Sequence, residues 1–259
     1  MPQAYFTSVG AGRYRASEHT SGAWDPREQH ISPALGLMIH EVERDRDRRR
    51  DDQLMISRLS YDILGTVPVG EVTIEVRVIR AGRTIELVEA VLSHEGRSAV
   101  LLRAWLLQRQ DTARVEGTPL PRIPDRHQLQ PWSPTEVWPG GFIASADAHR
   151  QQHEPGQAAF WVRPRVELIE GEQVSGIARA AGLIDIANGM TVRQSPQDVA
   201  FPNVDLTAHF FAEPRGDWLG FDTAVSFGAD GVGLTHSILH DETGPIGSMS
   251  QILTVRPKG

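Results

Sequence analysis

Asp205, Ser226 and Gln251 bring together three residue types that can manage a water molecule. A carboxylate can take a proton from water, while a hydroxyl and a primary amide hold that water by donating and accepting hydrogen bonds. All three lie in the C-terminal half, and that half reads as an altered second copy of the N-terminal half. Aligning Gly70-Glu71 with Gly216-Asp217 sets Val72–Arg80 against Trp218–Ser226, and Gly96 then meets Gly244 after a two-residue slip. The first-copy counterparts of the three residues are Leu59, Arg80 and Arg103, which cannot repeat this chemistry. One site per chain follows, located where the copies differ. On a strand over 218–227, Trp218, Gly220, Asp222, Ala224 and Ser226 share one face, and the matching positions in the first copy are Val72, Ile74, Val76, Val78 and Arg80, so a largely apolar face has acquired polar groups. Gln251 runs in register with Leu253 and Val255, which puts an amide on a buried face, where leaving it unpaired costs about 1–3 kcal/mol.

The elements that must hold these residues come in the same order twice: a helix, then a strand-rich run. Ser32 followed by Pro33 reads as a helix start, a serine oxygen capping free amides and proline tolerating the first helical position. Leu35, Met38, Ile39 and Val42 then repeat at helical spacing, giving a helix over about 33–47. The second helix spans about 175–189, with an apolar stripe of Ile177, Ala180, Ala181 and Ile184 and an end near Gly189. Between 54 and 109 the period drops to two: Val72, Ile74, Val76 and Val78 alternate with polar residues, with turns at Ala81-Gly82-Arg83 and His94–Arg97. The second copy opens near Phe142 with a strand-like Ala158–Ile169, and further strands are expected at 203–213, 217–227, 232–240 and 246–256. The prolines of 111–141 argue for an extended connection. The division is therefore 1–110 for one module, 111–141 for a linker and 142–259 for the module that carries the site. The fold class is α+β, two fused modules of one helix plus an antiparallel sheet.

Composition narrows the function. The 259 residues contain no cysteine, which excludes disulfides, thiolate metal sites and a cysteine nucleophile. The formal charge is −7, and the dense run Glu43–Asp52 sets five acids against five arginines. Nucleic acid is a poor partner for this balance, because phosphate binding needs clustered uncompensated cations. No stretch approaches the roughly 18–20 apolar residues of a spanning helix, and Met-Pro-Gln-Ala lacks the order of a signal peptide. A cytoplasmic protein with no membrane partner is the expectation.

The segment Asn203-Val204-Asp205-Leu206-Thr207-Ala208-His209-Phe210, then Trp218-Leu219-Gly220-Phe221, Gly233-Leu234 and Ser250-Gln251, resembles the C-terminal half of the acyl-CoA thioesterase II family and its thioesterase-like relatives. Trp24, Gln29-His30 and Pro33-Ala34-Leu35 extend the likeness into the first half. The resemblance implies a double hotdog that hydrolyses acyl-CoA thioesters to free acid and coenzyme A, with an Asp, a Thr and a Gln holding the attacking water. Carried over, these fall on Asp205, Ser226 and Gln251, with serine in place of threonine. Trp24 and His30 become candidates for substrate binding, the first as an acyl-pocket wall. Ile31-Ser32 stands where relatives carry a glycine pair. Thioesters are activated acyl donors, so no cofactor is needed. A double hotdog already contains the pairing that single modules reach by dimerising, and its exposed sheet edges leave a homodimer open.

Rival readings carry their own residues. Asp25 and His30 have the Asp-x4-His spacing of R-specific enoyl-CoA hydratases, and a non-catalytic acyl-CoA or lipid-binding module would keep the scaffold without the chemistry. His149 and His153 lie four apart without the glutamate of a zinc-protease motif, and His236 and His240 share a strand face without a third ligand. All four read as ordinary polar positions rather than metal ligands. Arg80, Arg103, Arg163 and Arg165 are cations within reach of coenzyme phosphates or, more plainly, surface pairs.

Overall fold

In a computed structural model, which describes residues 4–258, the chain builds one continuous 14-stranded sheet curved around two helical segments. The N-terminal hairpin of β1 (Ala4–Gly10) and β2 (Arg13–Ala16) precedes α1 (Ile31–Arg49), which is followed by β3 (Met55–Ile63), β4 (Glu71–Arg80), β5 (Ile85–His94) and β6 (Arg97–Leu107). The 108–140 connection contains only short turns and β7 (Gln130–Trp132). The order then repeats: α2 (Gly141–Ala144), β8 (Ala146–Glu154), β9 (Gln157–Pro164), β10 (Glu167–Ile169), α3 (Gly176–Ala181), a 3-10 turn at Ile184–Ile186, α4 (Ala187–Met190), β11 (Val199–Ala200), β12 (Asp205–Phe210), β13 (Leu219–Phe227), β14 (Val232–Asp241), β15 (Gly244–Thr254) and β16 (Arg256–Pro257). The expected signal-free start falls largely on Met1-Pro2-Gln3, outside the described residues.

The two halves of the sheet meet at β3 and β12, which pair antiparallel with Ser60 opposite Thr207. Their hydroxyls hydrogen-bond at 3.1 Å, on the axis that exchanges the copies. Leu59, Val72, Val88 and Ala104 on the inner face of the first half correspond to Leu206, Leu219, Thr235 and Gln251 in the second, and all eight are buried. This register is one residue away from the sequence alignment. A slip of one reverses the face of every side chain, so the face expected to carry the site on β13 is the outer one. Leu219, Phe221 and Val225 fill the core, while Ala224 and Ser226 are exposed.

The first helix begins earlier than Ser32-Pro33 suggests. His30 is its cap, with Nδ1 accepting from the Ser32 amide at 3.2 Å, and Ser32 is buried in the first turn. Residues from Ser32 to Val42 are buried on every side because α1 lies between the sheet and α3. The second helix is not continuous: Gly182 ends α3, and the chain proceeds through a 3-10 turn before α4. At the helix crossing Gly36 faces Gly182, and a Cβ on Gly36 would stand 2.6 Å from the Ala178 carbonyl oxygen and 2.9 Å from the Gly182 backbone. Only hydrogen permits this approach. The β5–β6 turn places Glu95 and Gly96 both at positive φ, the twist that a two-residue hairpin requires.

Candidate active site

The break after α3 puts a carboxylate into the interior. Asp185 lies four residues after Ala181 and eight after Ile177, spacing that would extend the apolar stripe of an unbroken helix, and the 3-10 turn that holds it instead leaves its side chain 6% exposed. An isolated buried carboxylate is costly, and two amides relieve part of that cost. Asn203 Nδ2 donates to Asp185 Oδ1 at 2.6 Å, and Gln251 Nε2 donates to the same oxygen at 2.9 Å. Burial still dominates over these bonds and pushes the Asp185 carboxyl up to about 7.

The second oxygen of Asp185 faces the first module. Oδ2 stands 3.7 Å from His30 Nδ1. Burial holds the imidazole down to about 3, so it is neutral and the contact is not an ion pair. Because Nδ1 accepts from Ser32, the ring proton belongs on Nε2. His30 also lies face-near to Phe142 at 4.3 Å between ring centres. The N-terminus of α1, with amides that have no intrahelical acceptor, thus lies beside a carboxylate from the other module. A cleft of about 310 Å³ exposes the arrangement, with Trp24, Gln29, His30, Ile31, Asp185 and Asn203 among its walls. A smaller hollow of about 40 Å³ adjoins it behind His30.

Of the residues expected from sequence, Gln251, His30 and Trp24 lie at or beside this cleft, and Asp205 and Ser226 do not join them. Asp205 Oδ1 accepts from the Ile252 amide at 2.7 Å. Thr207 pairs with Ser250, whereas Asn203 bridges Leu253. The ladder therefore slips by one residue between these points, and the Asp205 carboxylate satisfies the amide left there. That bulge also turns Asn203 inward. Ser226 projects from the outer face of β13, opposite Leu234. The expected convergence of Asp205, Ser226 and Gln251 does not occur: the structure brings Gln251 together with Asp185 and Asn203. Two signals were present in the sequence: an acid at helical spacing from Ile177 and Ala181, and Gln251 in register with Leu253 and Val255 on a buried face. In the first copy the helical position of Asp185, counted from Gly182 and Gly36, falls on Ile39.

Asp25 lines the same cleft as His30 but is occupied: Arg27 donates to its carboxylate at 2.7 Å, which together with the Arg27 amide holds the Asp25 carboxyl down at about 2. The four arginines considered for coenzyme phosphates are engaged away from the cleft. Arg103 meets Glu89, Arg80 donates to the Ile85 carbonyl, and Arg163 and Arg165 meet Asp147. Among the described residues, no helix is long and apolar enough to cross a membrane, and no group of three or more His, Asp or Glu side chains is placed to hold a metal ion.

Comparison with known proteins agrees with this architecture. The family model described as the acyl-CoA thioesterase N-terminal domain matches residues 20–107, and the one described as the acyl-CoA thioesterase C-terminal domain matches residues 104–255. Solved structures share the fold over nearly the whole chain. A protein of Thermobifida fusca YX, provisionally named thioesterase II, has TM-score 0.70 at 22% identity and covers 96% of this chain and 94% of its own. An acyl-CoA thioesterase II from Mycobacterium marinum has TM-score 0.69 at 15% identity, covering 98% and 96%. A conserved hot dog fold protein of unknown function from Alicyclobacillus acidocaldarius has TM-score 0.74 at 11% identity, covering 97% and 96%. No curated protein matches the chain. With both of its halves matched in order, the chain belongs to the acyl-CoA thioesterase family and is a thioester hydrolase built as a double hotdog.

Proposed function

We propose that the protein hydrolyses acyl-CoA thioesters with Asp185 as the general base, and with Asn203 and Gln251 as the groups that hold it. The observation that carries this reading is a buried carboxylate on the cleft wall whose Oδ1 is taken by two amide donors, while Oδ2 stands 3.7 Å from His30 Nδ1 with no hydrogen bond among the described residues. A water bound at Oδ2 would give up its proton as it attacks the thioester carbonyl. Gln251 Oε1, buried without a protein partner among the described residues, is a second acceptor suited to orienting that water. The developing oxyanion needs donors, and the first-turn amide of Ile31 at the N-terminus of α1 supplies one beside the cleft. Trp24 and His30 are assigned to substrate binding.

The raised carboxyl fixes the pH dependence. Asp185 acts only when ionised, so kcat/KM should rise about tenfold per pH unit on the acid side and level off above about 7. Thiol release from an acyl-CoA measured between pH 5 and 9 tests this, and a profile flat down to pH 5 would remove Asp185 from the role of base. Ser226→Ala, on the outer face, should stay within about twofold of wild type, since surface changes away from special features are small. A hundredfold loss there would restore the serine to the site.

One observation favours a second reading. His30 and Asp185 face each other from different modules at 3.7 Å, and such a pair could add water across a 2-enoyl thioester, with Asp185 taking the part first given to Asp25. Loss of crotonyl-CoA absorbance without free thiol would select this reading.

A further inference from the structure

We infer that the hollow behind His30 is the acyl pocket and that it restricts the enzyme to short acyl groups, about two to four carbons; this rests on Asp185 being the site of hydrolysis. The cleft and the hollow share Ala23, Trp24, His30 and Asn188 as walls, so a thioester carbonyl beside Asp185 has its acyl end at the entrance to the hollow. The wider cleft of about 310 Å³ has mixed walls, with Asp25, Glu28 and Gln29 beside a larger apolar area, and opens between exposed Leu64, Val204 and Trp24. It suits a pantetheine arm. The hollow offers only about 40 Å³, room for a few atoms when a single water needs at least 10–15 Å³ on this measure.

Three walls of the hollow are aromatic rings packed on one another. Trp24, Trp138 and Phe201 meet edge to face, with ring centres 5.0, 5.7 and 5.8 Å apart. Trp138 is fixed by its indole N–H, which donates to the Gly189 carbonyl at 2.8 Å. Phe201 is fully buried and backed by Phe227 at 5.6 Å. A longer chain would have to displace Trp138 or Phe201, since aromatic rings packed on several sides do not yield space gradually.

The test is thiol release by the wild-type protein over saturated acyl-CoAs from two to sixteen carbons. The expected kcat/KM peaks at two to four carbons and then falls roughly tenfold or more with the first methylenes that no longer fit. Phe201→Ala should move the peak to longer chains. As a check independent of turnover, binding of the same series to Asp185→Asn by calorimetry should rank in the same order. Equal or faster hydrolysis of chains of eight carbons and more by wild type would overturn the inference while leaving the Asp185 site intact. Hydrolysis with the expected length profile that survives Asp185→Asn would instead overturn the reading of the site. No thiol release at any length would overturn both.

Discussion

Asp185→Asn is expected to lower thiol release by roughly 10²–10⁴, the range that a positioned base contributes, and to leave a protein more heat-stable than wild type. The asparagine keeps an Oδ1 to accept from Asn203 and Gln251, and its new amide faces His30 Nδ1, a neutral acceptor. Geometry is kept and basicity is lost. The gain in stability follows from the shift of the carboxyl. The unfolded chain ionises Asp185 near its ordinary value of 3.8, whereas the folded protein holds the proton up to about 7. Between those values the folded state binds more protons, so stability falls as pH rises through the window and stays lower above it. A shift of this size corresponds to on the order of 4 kcal/mol, and a neutral side chain escapes that loss. Thermal melts at pH 8 should therefore show the variant above wild type by several degrees, with little difference at pH 4. Asp185→Ala should behave oppositely, because it leaves the Asn203 and Gln251 amides without an acceptor, at about 1–3 kcal/mol each. A variant that keeps full activity would remove Asp185 from the chemistry.

His30 adds an opposite slope. Its unfolded imidazole takes a proton near 6.5, while the folded one resists until about 3, so this residue makes stability fall as pH drops below about 6.5. In wild type the two buried groups offset each other between about 4 and 6.5. Asp185→Asn should expose the histidine slope, a second signature in the same melts.

The fold was legible because its signals are repeated and periodic. Alternation in Val72–Val78 and the stripe Leu35, Met38, Ile39, Val42 specify a strand and a helix by burial alone, and observed boundaries for both lie within a few residues of those expected. The site was half legible. Gln251 could be found because an amide in register with Leu253 has no reason to be inside unless something pairs with it. Asp205 shows why: an acid at a strand start beside a family-like segment fits a catalyst as well as it fits the acceptor of the Ile252 amide that the structure shows. Ser226 was misplaced by a single residue of register, which is enough to exchange core for solvent. Asp185 keeps helical spacing from Ile177 and Ala181, but the break at Gly182 and the tightening into a 3-10 turn that seat it inside are not legible in a stripe expected to run unbroken over 175–189. Asn203 depends on a bulge between β12 and β15, a pairing between segments some 50 residues apart that no local pattern encodes.

The second large effect is expected far from the water. Gly36→Leu should destabilise the protein by several kcal/mol and reduce activity, because Gly36 is where α1 and α3 touch. Even the first carbon of a new side chain would lie 2.6 Å from the Ala178 carbonyl oxygen and 2.9 Å from Gly182 N and Cα. These are backbone atoms, so one helix must move. Overpacking of this kind costs typically 1–3 kcal/mol, occasionally more, and leucine adds three carbons beyond the Cβ. Helix propensity works the other way, since replacing glycine inside a helix gains up to about 1 kcal/mol, so Gly36→Ala should show a smaller net loss. The catalytic consequence comes from what each helix holds. His30 caps the start of α1, and Asp185 follows three residues after Gly182, so separating the helices widens the 3.7 Å approach between them. Gly117→Ala, where a Cβ would meet nothing within 4 Å, serves as the control with little expected change. If Gly36→Leu melted within a degree or two of wild type and retained its turnover, the glycine contact would not be what registers one module against the other.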